Sequence, residues 1–319
     1  MRRFFHLSLM VLAGAWVIGA AAQQYPVKPV RMLVGIAPGG GLDAGTRTVA
    51  GKLAEILGQA FVVENRPGAG GTVAGAVAAK SPADGYTLLM ATTTLMFHPV
   101  VYPNLPYDPV KSFTPIGTAG TEILVITSHP SFPAKTTAEL IAQLKANPGK
   151  YHYGSPGVGT VHHLVMEMFQ KQAGLALTHV PYKGAALITP DLISGQIPLA
   201  IMSVNSTVPQ ARAGKIRAIA ISSPVKLSVA DWPALADTLP GFDAASTRIL
   251  MAPAGVPREV VARLSEALRK TLASEDVLAA FEKQGAHSQF VTPEELAAKL
   301  QNDTGKWMAA AKEAGIKAD

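Results

Sequence analysis

The stretch "VRMLVGIAPGGGLDAGTRTVAGKLAEIL", Val30 to Leu57, passes from an apolar run through three consecutive glycines into an amphipathic segment. Residues 30–36 read as a buried strand. Val49, Leu53, Ile56 and Leu57 then recur at helical spacing on one face. Strand, glycine loop and helix in that order form the repeating unit of α/β folds. The glycines carry an entropic cost, because glycine loses more backbone freedom on folding than any other residue. A triplet therefore implies that something approaches the backbone too closely for side chains.

The same alternation continues outward. "FVVEN" (61–65), "YTLLMAT" (86–92), "ILVITS" (123–128), "LTHVPY" (177–182), "IPLAIMS" (197–203) and "IRAIAIS" (216–222) are strand candidates. Helix starts are legible between and after them: Thr136 with Glu139 and Thr292 with Glu295 fit a capping box, and Pro293 falls at a first helical position. From Pro257 onward the chain reads as mostly helix, with Val260, Val261, Leu264, Leu268 and Leu272 on one stripe and a short strand candidate at 287–290. The expected fold class is α/β, with mixed, mainly parallel sheets flanked by helices.

The first residues, "MRRFFHLSLMVLAGAWVIGAAAQQYP", have two arginines, an apolar run and small residues before Gln23. That is the pattern of a secretory signal peptide over residues 1–22, cleaved near Ala22–Gln23. The 319-residue chain has no cysteine, so an exported product must be held by its core. The net charge of +6 falls to +4 once Arg2 and Arg3 are removed with the leader. This modest excess is scattered, without basic runs or interleaved aromatics, and argues against nucleic acid as a partner.

Three junctions are stripped of side chains: "APGGGLDAG" (37–45), "RPGAGGTVAG" (66–75) and "YGSPGVGTVHH" (153–163). Loops beyond the carboxyl ends of strands form the ligand crevice of α/β sheets, and a helix start there offers unpaired N–H groups to an anion. Neither of the first two loops has the dinucleotide spacing, and neither carries the lysine of a P-loop. A carboxylate is the simpler ligand. Asp43 reads as a natural N-cap, with Arg47 at i,i+4 spacing from it. No nucleophile elbow surrounds Ser155. His163 and Glu167 share a helix face without a third metal ligand at a recognisable spacing. No catalytic residue, metal or cofactor is expected.

Taken together, "YPVKPVRMLVGIAPGGGLDAGTR", "VENRPGAGGTVAGAVAAKSPADGYTLL", "LPYDPVKSFTPI", "YGSPGVGTVHHLVMEMF", "HVPYKGAALITPDLISGQI", "AGKIRAIAIS" and "APAGVP" resemble the periplasmic substrate receptors of tripartite tricarboxylate transporters, the Bug-type (TctC-like) solute-binding proteins. The likeness runs from about Tyr25 to the C-terminus. It implies a two-lobed type II periplasmic binding fold, with crossings near 122–126 and 222–230. Lobe one would comprise 23–124 and 228–319, and lobe two 125–227. The implied function is delivery of a small carboxylate to membrane permease subunits, by a protein expected to act as a monomer. The alternatives are a solute sensor feeding a signalling partner and a secreted hydrolase.

Carried over by motif, the resemblance nominates Gly39, Gly40, Gly41, Asp43, Gly70, Gly71, Thr94 and His98 in lobe one. In lobe two it nominates Ser155, Gly157, Gly159, Thr160, Tyr182, Lys183, Gly184 and Ala185, with Met202 and Ser203 at the end of the 197–203 strand. Where many relatives read "GQVDLMFD", this chain has "GQIPLAIM", so Pro198 and Met202 replace two acids. An acid at the second position could read a ligand amine. Its loss favours a plain or more apolar carboxylate over an amino acid.

Overall fold

A computed structural model describes residues 25–317; the expected leader lies outside the described residues. Strands and helices are numbered in chain order. The first sheet contains β1 (Val30–Val34), β2 (Phe61–Asn65), β3 (Thr87–Thr92), β4 (Phe113–Glu122), β10 (Ser246–Pro253) and β11 (Ala286–His287), in the spatial order β11-β4-β10-β3-β1-β2. The second contains β5 (Leu124–Ser128), β6 (His152–Ser155), β7 (Thr178–Pro181), β8 (Leu199–Ser203) and β9 (Arg217–Ile221), in the order β7-β6-β8-β5-β9. Both sheets are mixed. The strands followed by glycine loops pair in parallel, β1 with β2 and β3, and β6 with β7 and β8. The strands that carry the chain between sheets, β4, β5, β9 and β10, pair antiparallel.

Strand alternation sorts the core. Val30, Met32 and Val34 face α1 (Gly41–Leu57), α8 (Arg258–Ala273) and α9 (Glu275–Gln284), where Val49, Leu53, Leu264, Leu268 and Phe281 pack. Leu33, Leu89, Ile249 and Met251 face α2 (Thr72–Ala79) and α10 (Pro293–Glu313) on the other side. In the second sheet Leu199 and Ile201 face α4 (Thr137–Lys145) and α5 (Val161–Ala173). Ala200 and Met202 face α6 (Ala185–Ser194), and α7 (Val204–Arg212) packs on Val125 and Ile221. Of the stripe expected on α1, Ile56 turns outward at 36% exposure. Thr136 caps α4, and Thr292 with Glu295 closes a capping box at α10 with Pro293 in its first turn.

The chain leaves the first sheet at Glu122 and enters the second at Leu124, with only Ile123 between. Its return is later than 222–230. Ser222 O accepts the Ala244 N–H, and Leu235, Phe242 and Ala244 are buried in the second sheet's core, so residues 228–245 pack with lobe two before Ser246 joins β10. The apolar anchors Leu235 and Phe242 hold that segment there.

Candidate functional site

The loops that follow β1, β2, β3, β6 and β8 all meet at the junction of the two sheets, where carboxyl ends of strands face each other across a cleft. The cleft is shut. Thr94, opening α3 (Thr94–Val101), accepts the Val161 N–H at 3.2 Å from the first turn of α5. Tyr102 donates to Val158 O at 2.9 Å, and Ser203 donates to Glu122. A Cβ placed on Gly70 would stand 2.9 Å from Gly159 O, so the second and third glycine loops touch backbone to backbone. Gly70 also holds φ +63, a conformation that glycine adopts without strain.

Between these contacts lies a cavity of about 60 Å³. At roughly 10–15 Å³ per water, that is room for about four to six waters or a small organic anion. Gly40, Gly41, Gly70, Gly71, Thr94, His98, Thr160, Ala185 and Ser203 line it, all of them nominated from the sequence. An outer groove of about 460 Å³ shares Gly70 and Thr160 with it and takes in Gly157, Tyr182, Lys183 and Gly184.

Five nominated residues sit elsewhere. Gly39 is exposed, with φ +90. Asp43 is buried behind the loop and is not the N-cap; that position is Gly40, which has no side chain to cap with. From the third helical position Asp43 accepts the Gly39 N–H at 3.0 Å, Arg47 Nε at 3.1 Å and Asn65 Nδ2 at 2.8 Å. Burial raises its pKa, but the bonds from Arg47, Gly39 and Asn65 outweigh that and hold it below the ordinary value. Ser155 is fully buried, 2.6 Å from His179 Nε2, and accepts the Gly157 N–H at 3.2 Å, so it braces the third loop. Gly159 packs against Tyr102. Met202 points beneath α6 because its neighbours Ile201 and Ser203 take the opposite face of β8.

His98 lines the cavity with both ring nitrogens engaged, Nδ1 at 3.0 Å from Tyr107 Oη and Nε2 at 3.2 Å from Gly70 O. Gly70 O can only accept, so Nε2 carries the proton and the ring positions the second loop. Burial lowers its pKa to about 4, leaving the ring neutral. Among the described residues no cluster of three or more His, Cys, Asp or Glu could hold a metal.

The cavity also contains groups that the sequence did not single out. Glu122, at the end of β4, is 4% exposed and lines it with His162 from α5. His162 Nε2 lies 3.4 Å from Ser203 Oγ, and burial lowers its pKa against the raising influence of Glu122. Behind Gly41 lies Arg248 of β10, 1% exposed, donating from Nη2 to Gly41 O at 3.0 Å. These partners explain two glycines. A Cβ on Gly41 would overlap Glu122 Oε1, and one on Gly45 would stand 2.6 Å from Arg248 Cζ. No sequence signal marked this cluster, since Glu122, His162 and Arg248 come from distant elements, β4, α5 and β10.

A family model for the tripartite tricarboxylate transporter family receptor matches residues 46–316. Protein BugT of Bordetella pertussis (strain Tohama I) is 33% identical over 301 residues, covering 93% of this chain and 92% of BugT. The structure of an R. palustris protein with adipate has TM-score 0.87 and 31% identity, covering 92% of this chain and 100% of that one. The structure of the periplasmic binding protein BugD has TM-score 0.86 and 32% identity over the same shares. With its two sheets, shut cleft and matching length, the chain belongs to the tripartite tricarboxylate transporter receptor family.

Proposed function

We propose that this protein is an extracytoplasmic receptor that closes its two lobes on a small carboxylate and delivers it, as a monomer, to the permease subunits of a tripartite tricarboxylate transporter. The carrying observation is the interlobe cavity, walled by helix starts and glycine loops from both sheets. The presence of adipate in the R. palustris relative supports a carboxylate ligand. Recognition would rest on neutral donors, the backbone N–H groups of Gly70 in the second glycine loop and of His162 in the first turn of α5. Such donors hold an anion less tightly than a salt bridge and suit a carrier that must release its cargo. Residues 1–22 would direct export and be removed. Ser155 is bonded to His179 and Gly157, Thr160 to Gly157 and His163, and Ser203 to Glu122, which supports binding without turnover.

The test is a thermal-shift screen of the purified protein, unfolded and refolded to strip carried ligand. The panel contains aliphatic di- and tricarboxylates, aromatic carboxylates, amino acids and neutral sugars. The expected result is a saturable rise in Tm for one group of carboxylates, with the compound recovered unchanged. A rise for a sugar alone, or consumption of the compound, would count against the reading.

A further inference from the structure

Glu122 is an odd residue to find in a carboxylate site. Its Oε1 accepts the Ser203 hydroxyl, while no donor among the described residues bonds Oε2. Because Glu122 lines the cavity, the unpaired oxygen is available to whatever fills it. The side chain presses on Gly41 at the positive end of α1, so the first helix start already faces an anion of the protein's own. A ligand carboxylate seated there would meet a like charge in a site shielded from water, where such repulsion is strong. The remaining wall, at Gly70, Gly71 and Thr160, carries no acid.

We infer that Glu122 orients and selects the ligand: the carboxylate lies toward the second and third glycine loops, and a hydrogen-bond donor elsewhere on the same molecule, a hydroxyl or an ammonium, is received by Glu122 Oε2. The ligand class is thus a hydroxy- or amino-substituted carboxylic acid. This rests on the receptor reading above. It also changes what the loss of an acid at Met202 implies, because β4 supplies one from the opposite lobe. Ser203, which lies 3.4 Å from His162 Nε2, holds the carboxylate of Glu122 in place: it occupies Oε1 and so leaves Oε2 for the ligand.

The test compares matched acids of four and five carbons, each unsubstituted, hydroxylated or aminated, titrated calorimetrically into the stripped wild-type protein and into Glu122→Gln. In the wild type, the favoured substituted acid should bind at least about tenfold more tightly than its unsubstituted parent, since a site built to pair a donor rejects the analogue lacking it. Glu122→Gln should shrink that preference to within about threefold and leave the unsubstituted acid bound as well or better. The hydroxyl and ammonium arms identify which donor is read. Equal or better binding of unsubstituted acids by the wild type would overturn this inference and leave the receptor reading intact. An unaltered preference in Glu122→Gln would also overturn it. Failure of every carboxylate to bind would overturn both. The wild-type ratio decides the matter even if the variant does not fold.

Discussion

Glu122 occupies the space that a side chain at Gly41 would need. A Cβ there would overlap Oε1 and stand 2.8 Å from Ser203 Oγ, so the third glycine of the triplet makes room for a buried carboxylate that bridges the lobes. Substitutions within one helix test this. Gly51, also in α1, has no atom within 4 Å of its added Cβ. Gly51→Ala should therefore stabilise the protein by about 0.5–1 kcal/mol through helix propensity alone. Gly41→Ala gains the same propensity but should lose about 1–3 kcal/mol net from overpacking. Urea denaturation of the two variants measures the difference.

Arg248 packs on the same first turn of α1 that Glu122 touches at Gly41. Its Nη2 bonds Gly41 O, while Nε and Nη1 have no partner among the described residues. Glu122 is the acid whose field acts on it. Removing either charge leaves the other buried and less compensated. In a double-mutant cycle of Glu122→Gln and Arg248→Met, the combined loss of stability should fall short of the summed single losses by about 1–3 kcal/mol. Additive losses would mean the two charges do not sense each other.

Three histidines near the cleft make stability fall with acid. Burial holds His98 near a pKa of about 4, His163 near about 3 with help from His179, and His179 near about 4. Each pKa is depressed below the ordinary 6.5, so the unfolded chain binds protons that the folded chain refuses. The stabilisation is complete above pH 6.5 and declines as pH falls toward 4. His98 contributes a slope of up to about 1.4 kcal/mol per pH unit in that window. His179, more open to solvent, contributes less. Denaturation at pH 7 and pH 5 should show the loss, and His98→Gln should flatten it.

Asp43 anchors the first loop from behind. Asp43→Ala strands the Gly39 N–H, Asn65 Nδ2 and Arg47 Nε, and should cost about 1.5–3 kcal/mol of stability. Because Asp43 does not line the cavity, the affinity for a bound carboxylate should change by less than about tenfold. Denaturation and calorimetry on the same preparation separate the two effects.

The fold was legible wherever apolar periodicity was strong. All seven strand candidates are strands, and "HSQF" begins at the second residue of β11. The missed strands are β4, β6 and β10. β4, "FTPIGTAGTE", hides its alternation because Gly117 and Gly120 stand where Phe290 and Phe281 press on the backbone. β6 is only "HYGS", too short to show a period. β10 carries a fully buried arginine among its apolar residues. At the site, the glycine loops were visible, but the reason for each glycine was not. Gly41 and Gly45 accommodate Glu122 and Arg248, and Arg248 is 207 residues from the Gly41 carbonyl it binds. Pairing across that distance leaves no local pattern. His162 was visible only as one of two adjacent histidines at a helix start, and its place beside Ser203 depends on where β8 ends.

Closure on a carboxylate is read out by small-angle scattering paired with calorimetry on the stripped protein. The unliganded protein should be open, and its radius of gyration should fall as a carboxylate is added, saturating with the Kd that calorimetry gives for the same compound. Carboxylate binding that leaves the radius unchanged, or no binding by any carboxylate, would contradict it.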